Sequence, residues 1–224
     1  MNQWYKPFFY RGRETLRDLF SLRYLGWHAL AISLTFLIVT TGTDWAYFGF
    51  SRLPRIQSLA WPAALIGFFV PLLLPIYFLS RRGATRVLGY AVVQAQVIGW
   101  CLSAFYKALT GRAHPPLPGI TLPGDITHIF QFGILKGGVL WGWPSSHATV
   151  ACAFSAVVFI LCKKLWVRVL AVAYAVYISL GASLSFHWLS DAVAGVIFGT
   201  LVGVLVGRAF EPLLSKNLEN PVTQ

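Results

Sequence analysis

Two histidines open the reading. His147 follows Trp141-Gly142-Trp143-Pro144-Ser145-Ser146 and leads into an apolar run from Ala148 to Cys162. Proline followed by small hydroxyl residues marks a helix start. The free N–H groups and the dipole of such a start make an anion site. His187 comes 40 positions later in a similar setting, and Asp191 follows it by four residues. That spacing stacks the pair on one helix face. A carboxylate one turn from an imidazole can accept its Nδ1–H, which fixes the tautomer and leaves Nε2 as nucleophile or base. Each histidine alone is equally well a capping or interfacial residue. Lys107, with Arg112 five and His114 seven residues on, adds cations that singly would be snorkelling side chains. Together these sets supply a nucleophile, a second acid/base, anion donors and cations, which is the inventory of phosphoryl transfer without a metal.

The elements that must position them are membrane helices. The chain is 57% hydrophobic and 11% charged, with a mean hydropathy of +0.65. Soluble domains carry about 25% charged residues, so this chain cannot cover a soluble surface. The fold expected is all-α: a bundle of six transmembrane helices at about 25–43, 59–79, 87–106, 146–162, 167–186 and 188–206. An amphipathic segment, residues 1–24, precedes it. With Lys6, Arg11, Arg13, Arg17 and Arg23 among aromatic and leucine residues, it is too polar to span and reads as lying on the membrane surface. It is not patterned as a signal peptide. The six-span domain covers residues 25–208, and residues 209–224 form a tail. The short loop after the first span, with Asp44, Trp45, Tyr47 and Phe48, is an interfacial mixture. Pro62, Pro71 and Pro75 are expected to bend the second span. The long polar connection 107–143 is of a length that is usually functional or disordered; in it, Asp125 reads as a turn residue and His128 as solvated. His28 reads as interfacial. Gly195, Gly199, Gly203 and Gly207 share one face of the last span, where another helix can pack closely. Cys101, Cys152 and Cys162 fall in apolar runs and read as small buried hydrophobes.

The net charge of +11 sits at the ends of apolar runs, which favours anionic lipid headgroups over nucleic acid as partner. Six spans put both termini on one side. The N-terminal segment, the loops at 80–86 and 163–168, and the tail hold 13 of the 18 Lys and Arg residues. The positive-inside rule makes that side cytoplasmic, so His147, His187 and the loop 107–143 face outward.

Residues Lys107 to Pro115, then Pro144-Ser145-Ser146-His147, then His187-Trp188-Leu189-Ser190-Asp191 resemble the three signature blocks of the type 2 phosphatidic acid phosphatase (PAP2) superfamily. The resemblance covers roughly residues 90–207. It implies a helix bundle with its site at the outer membrane face and needing no metal or other cofactor. It implies that His187 attacks phosphorus to form a phosphohistidine and that Asp191 orients it. His147 would protonate the leaving oxygen and then activate water. Lys107, Ser145 and the backbone near Ser146 and His147 would bind phosphate oxygens. Substrates of this kind are lipid phosphates: a polyprenyl diphosphate, phosphatidylglycerol phosphate, phosphatidic acid, or a phosphorylated glycolipid of lipid A type, cleaved at a plasma (inner) membrane.

The departures are specific. The first block ends in Arg-Pro in the family, where this chain has His114-Pro115. The family arginine six residues before the nucleophilic histidine falls at Gly181, and its glycine in the second block falls at Ser146. Two planar, bidentate phosphate grips are therefore missing. Removal of one transition-state donor typically costs about 3–4 kcal/mol. A protonated His114, Arg112 as phosphate ligand, or Lys136 would compensate. Three other classes stay open. One is a weak relative that binds or moves lipid phosphates. Another is a phosphotransferase using the same histidines. The last is a metal-dependent hydrolase built on His114, His128, His147, His187 and Asp191, whose spacing matches no standard metal motif.

Overall fold

The apolar runs close their backbone hydrogen bonds internally, as a segment without water must. The computed structural model describes residues 6–116, 120 and 124–219, and among these there is no strand. A 3-10 turn, Lys6–Phe9, precedes α1 (Gly12–Leu19), α2 (Leu25–Thr40), α3 (Thr43–Ser51), α4 (Pro54–Ser80), α5 (Gly83–Thr110), α6 (Ser146–Leu161), α7 (Leu165–Ser185) and α8 (Leu189–Glu219).

The six expected spans are met only in part. The helices α4, α5, α7 and α8 are long and apolar enough to cross a membrane. The first expected span is broken: α2 and α3 meet at 74°, and they count as a fifth only if taken as one bent span. The break has a local cause, since Gly42 adopts φ 70, a left-handed conformation that suits glycine. The fourth is short. At 1.5 Å per residue the 16 residues of α6 rise about 24 Å, against a hydrocarbon layer of about 30 Å. All three prolines of the second expected span lie inside α4.

The central helix is α8, which packs on α6 most extensively and also on α5, α2, α7 and α1. The expected glycine face is the reason α6 comes so close. A Cβ at Gly195 would lie 2.7 Å from Ser145 O, and one at Gly203 would lie 2.5 Å from Ala153 O. Gly199 would collide with Thr149 O, and Gly207 meets Ile160. This contact brings the start of α6 onto the start of α8.

The first and last described helices both pack on the bundle. Leu19 of α1 is buried in the main core, and Tyr10 meets Phe210 edge-on at 5.3 Å. Residues 209–219, expected as a tail, are the last turns of α8, with Phe210 fully buried. The remainder of the expected tail and residues 1–5 lie outside the described residues. His28 is buried between α1 and α5: its Nε2–H donates to Leu19 O at 2.9 Å, and its Nδ1 accepts from the Tyr106 hydroxyl at 2.6 Å. Cys101 is exposed, while Cys152 is buried as expected.

Candidate active site

The long connection is held against the C-terminal end of α5. Gly111 ends that helix at φ 47, and its Cα lies against Gly137, so neither position has space for a side chain. Orphan carbonyls of the helix end then find donors in the loop: Gly133 N–H to Leu109 O at 3.0 Å and Leu135 N–H to Ala108 O at 2.7 Å. Asp125 makes the expected turn, accepting from Thr127 N at 2.7 Å. The far end of the connection is anchored by Trp143, whose indole N–H donates to Thr35 Oγ1 at 2.8 Å. Its ring stands edge-on to Tyr106 and Phe198. These contacts deliver Ser145, Ser146 and His147 to the start of α6.

Ser145 caps that start. Its hydroxyl accepts from Ala148 N at 3.4 Å, and its own N–H donates to Asp191 O at 3.0 Å. The Ser146 hydroxyl pairs with Ser103 at 2.8 Å. The N–H groups of Ser146 and His147 precede the first intrahelical bond and point out of the helix start.

The two histidines meet. Their ring centroids are 6.4 Å apart with the planes inclined by 60°. Phe186 stands edge-on to His147 at 4.8 Å. α4 backs the same ring, a Cβ at Gly67 falling 3.4 Å from His147 Cδ2. His187 is buried, with Nδ1 3.4 Å from Asp191 Oδ2. Burial pushes the His187 imidazole below the ordinary histidine range, against an opposing pull from Asp191 and with Lys107 and Arg112 acting in the same direction as burial. The neutral, nucleophilic form is the one this environment favours.

Lys107 is 1% exposed, and its ammonium donates to Leu140 O at 2.9 Å. Two of its three N–H bonds remain beyond that contact. His114 is exposed, lies 5.2 Å from the Trp141 ring with the planes inclined by 39°, and donates Nδ1–H to Pro115 O at 2.8 Å.

Arg112 departs most from expectation. Its guanidinium is fully buried, and all five N–H bonds have protein acceptors. Nε donates to Thr127 O at 3.0 Å; Nη1 donates to Ser190 Oγ at 2.7 Å and Asp191 Oδ1 at 2.5 Å; Nη2 donates to Asp44 Oδ2 at 2.7 Å and Thr127 O at 2.6 Å. A phosphate ligand needs free donors, and in this arrangement Arg112 has none: the cation expected on phosphate is held on Asp191 and Asp44.

Asp44 is the residue the sequence reading missed. Its place in an interfacial mixture gives no sign of this, yet it is fully buried and accepts from Ser190 N at 2.9 Å and Ser190 Oγ at 2.5 Å. The signal available was an ionisable residue beside an apolar span. With both imidazoles neutral, the formal charges of Asp44, Asp191, Arg112 and Lys107 cancel, as buried charges must.

Gly181, where the family arginine would stand, is closed by α4: a Cβ there would overlap the Ala63 methyl. The proposed metal ligand set also fails to assemble, since among the described residues no three His, Cys, Asp or Glu side chains are grouped to hold an ion.

A family model described as the PAP2 superfamily matches residues 84–213, which spans α5 to α8 and every motif residue above. No curated protein and no solved structure matches the chain.

Proposed function

The chain belongs to the PAP2 superfamily, and from that premise we propose that it is an integral membrane phosphatase acting on a lipid phosphate or diphosphate at the outer leaflet. Family membership carries phosphatase chemistry on phosphate esters, and the long apolar helices carry the multi-pass membrane character. The single observation that supports the mechanism best is the 6.4 Å approach of His147 and His187, with Asp191 on the Nδ1 side of His187.

In the proposed reaction His187 Nε2 attacks phosphorus and the bond to the lipid oxygen breaks. His147, which takes up a proton as the phosphate anion enters, gives that oxygen its proton. His147 then takes a proton from water, the hydroxide attacks phosphorus, and the P–N bond breaks to restore the imidazole. Lys107 and the N–H groups of Ser146 and His147 hold the phosphate oxygens. Ser145 contributes by capping the helix that presents these donors.

Six crossings, with α6 and the bent α2–α3 pair counted among them, put the histidines outside and both termini in the cytoplasm, at a plasma (inner) membrane. The domain assignment follows: an interfacial segment 1–24, a membrane unit 25–208, and α8 emerging beyond it. The apolar surroundings favour a substrate with a hydrocarbon tail, such as a polyprenyl diphosphate, phosphatidylglycerol phosphate, phosphatidic acid, or a phosphorylated glycolipid of lipid A type.

One observation favours a second reading, a weak relative that binds or moves lipid phosphates. Gly181 and the engaged Arg112 leave Lys107 as the buried cation with N–H bonds to spare among the described residues. A single experiment separates the two. Phosphate release is measured from those four lipid classes, with His187→Ala beside the wild type and acid quench replaced by alkali to preserve phosphohistidine. The phosphatase reading expects release that His187→Ala abolishes and a base-stable phosphoenzyme. Lipid binding with no release from any class would establish the second reading instead.

A further inference from the structure

Asp44 lies outside the matched residues 84–213, yet it is tied to the centre of the site. It sits in the first turn of α3, just past the bend at Gly42. From there it reaches Asp191 by two routes. Its Oδ2 holds Arg112 Nη2 at 2.7 Å, and Arg112 Nη1 holds Asp191 Oδ1 at 2.5 Å. Its two oxygens also hold the N–H and hydroxyl of Ser190, the residue before Asp191.

The first route holds the Asp191 oxygen that faces away from His187, and the second holds the residue beside Asp191. With Oδ1 pinned by Arg112 and Oδ2 accepting from Trp188 N at 3.2 Å, the Asp191 carboxylate cannot rotate away from His187 Nδ1. The guanidinium is also shared. While Asp44 takes part of its charge, Asp191 keeps enough basicity to hold an imidazole N–H. Were Asp44 uncharged, Arg112 would turn its full charge on Asp191 and on His187 behind it.

We propose that Asp44 is a positioning residue of the active site: acting through Arg112 and Ser190, it fixes the orientation and the basicity of Asp191 and thereby the proton affinity of His187. The proposal rests on His187 being the nucleophile. It makes the bent α2–α3 unit part of the site, and it gives Arg112 a role that needs no contact with substrate. The groups facing His187 are Asp191 from α8, Lys107 from α5, Arg112 from the connecting loop and His147 from α6. Asp44 is the charge that balances them from α3.

Asp44→Asn tests this, since it keeps the shape and an acceptor for Ser190 while removing the charge. The full chain, labelled with ¹⁵N-histidine in detergent, is titrated by NMR, and His187 is assigned by its loss in His187→Ala. Asp44→Asn is expected to lower the His187 midpoint by about one pH unit. In mixed micelles of phosphatidic acid, kcat is expected to fall about tenfold while KM stays within about threefold, the split of a residue that acts on the nucleophile and not on binding. An unchanged midpoint and kcat overturn the proposal. So does a reduced yield of folded protein with unchanged kcat, which would make Asp44 a tie between α3 and α8 and nothing more. If Asp44→Asn does not accumulate, Ser190→Ala removes the hydroxyl arm of the second route without touching charge. A fall of about threefold in kcat at constant KM is then expected, and none overturns the proposal. Turnover surviving His187→Ala sinks the histidine reading itself, a result distinct from any outcome at Asp44. Should phosphatidic acid not be cleaved, the NMR midpoint decides alone.

Discussion

Gly181→Ala probes why this site lacks an arginine that the family pattern provides. Position 181 is on α7 and faces α4, where Ala60 and Ala63 are each 1% exposed. A methyl group at 181 would occupy the space of the Ala63 methyl. Overpacking of a tight contact costs about 1–3 kcal/mol, partly offset by the gain of about 1 kcal/mol from alanine over glycine in a helix. The partner substitution decides the cause. In an Ala63→Gly background the nearest atoms to a Cβ at 181 are Ala60 O at 3.4 Å and Ala63 Cα at 3.5 Å, which are ordinary contacts. Gly181→Ala should therefore destabilise the wild type and not the Ala63→Gly protein, a coupling of about 1–3 kcal/mol. Intrinsic tryptophan fluorescence during heating in detergent reads this as an apparent Tm, at about 2–4 °C per kcal/mol for a chain of this size. Gly181→Arg, which restores the family residue, should fail to accumulate and should gain no turnover. If Gly181→Ala changes Tm equally in both backgrounds, or if Gly181→Arg raises phosphate release, closure by α4 is not what excludes the arginine.

Lys107 and Arg112 should separate kinetically. Lys107→Met removes the buried cation with N–H bonds to spare and is expected to raise KM about tenfold or more in phosphate-release assays; an unchanged KM removes Lys107 from phosphate binding. Arg112→Lys keeps the charge but loses the fork that spans two carboxylates, so kcat should fall about tenfold with little change in KM, and a KM effect alone would return Arg112 to the phosphate. The pH profile of kcat/KM carries the state of His187. Burial lowers its pKa, so the neutral nucleophile persists as pH falls through the ordinary histidine range and is lost only below it. The acid limb of the profile should therefore lie under that range; a limb within or above it contradicts a buried nucleophile.

The motifs were legible because their chemistry is local. Pro144-Ser145-Ser146 announces a helix start by residue type alone, and the interval of four brings His187, two residues before α8, onto Asp191 in its first turn. The glycine interval of four in α8 likewise foretold a close neighbour, which is α6. What stayed hidden depends on tertiary contacts. Arg112 five residues past Lys107 looks like a phosphate ligand in sequence; only the arrival of Asp44, Thr127 and Ser190 from three other parts of the chain engages its donors. The bend at Gly42 was invisible for a related reason, since residues 25–51 are apolar enough to pass for one span and a near-interface.

These facts bear on one another. An Arg at 181 and an α4 packed on α7 compete for the same volume, and this chain has taken the packing. The same helix places Gly67 against His147, so closing the arginine position also shelters the second histidine. A guanidinium is still buried near His187, but it enters from the loop after α5 and is held by Asp44 from α3, which lies before every motif. A positive charge is thus present beside Asp191 without being available to phosphate. On the proposed mechanism a guanidinium holds Asp191 where the family pattern has one on phosphate, and the prediction that distinguishes this exchange from a simple loss is the contrast between a kcat effect at Arg112 and a KM effect at Lys107.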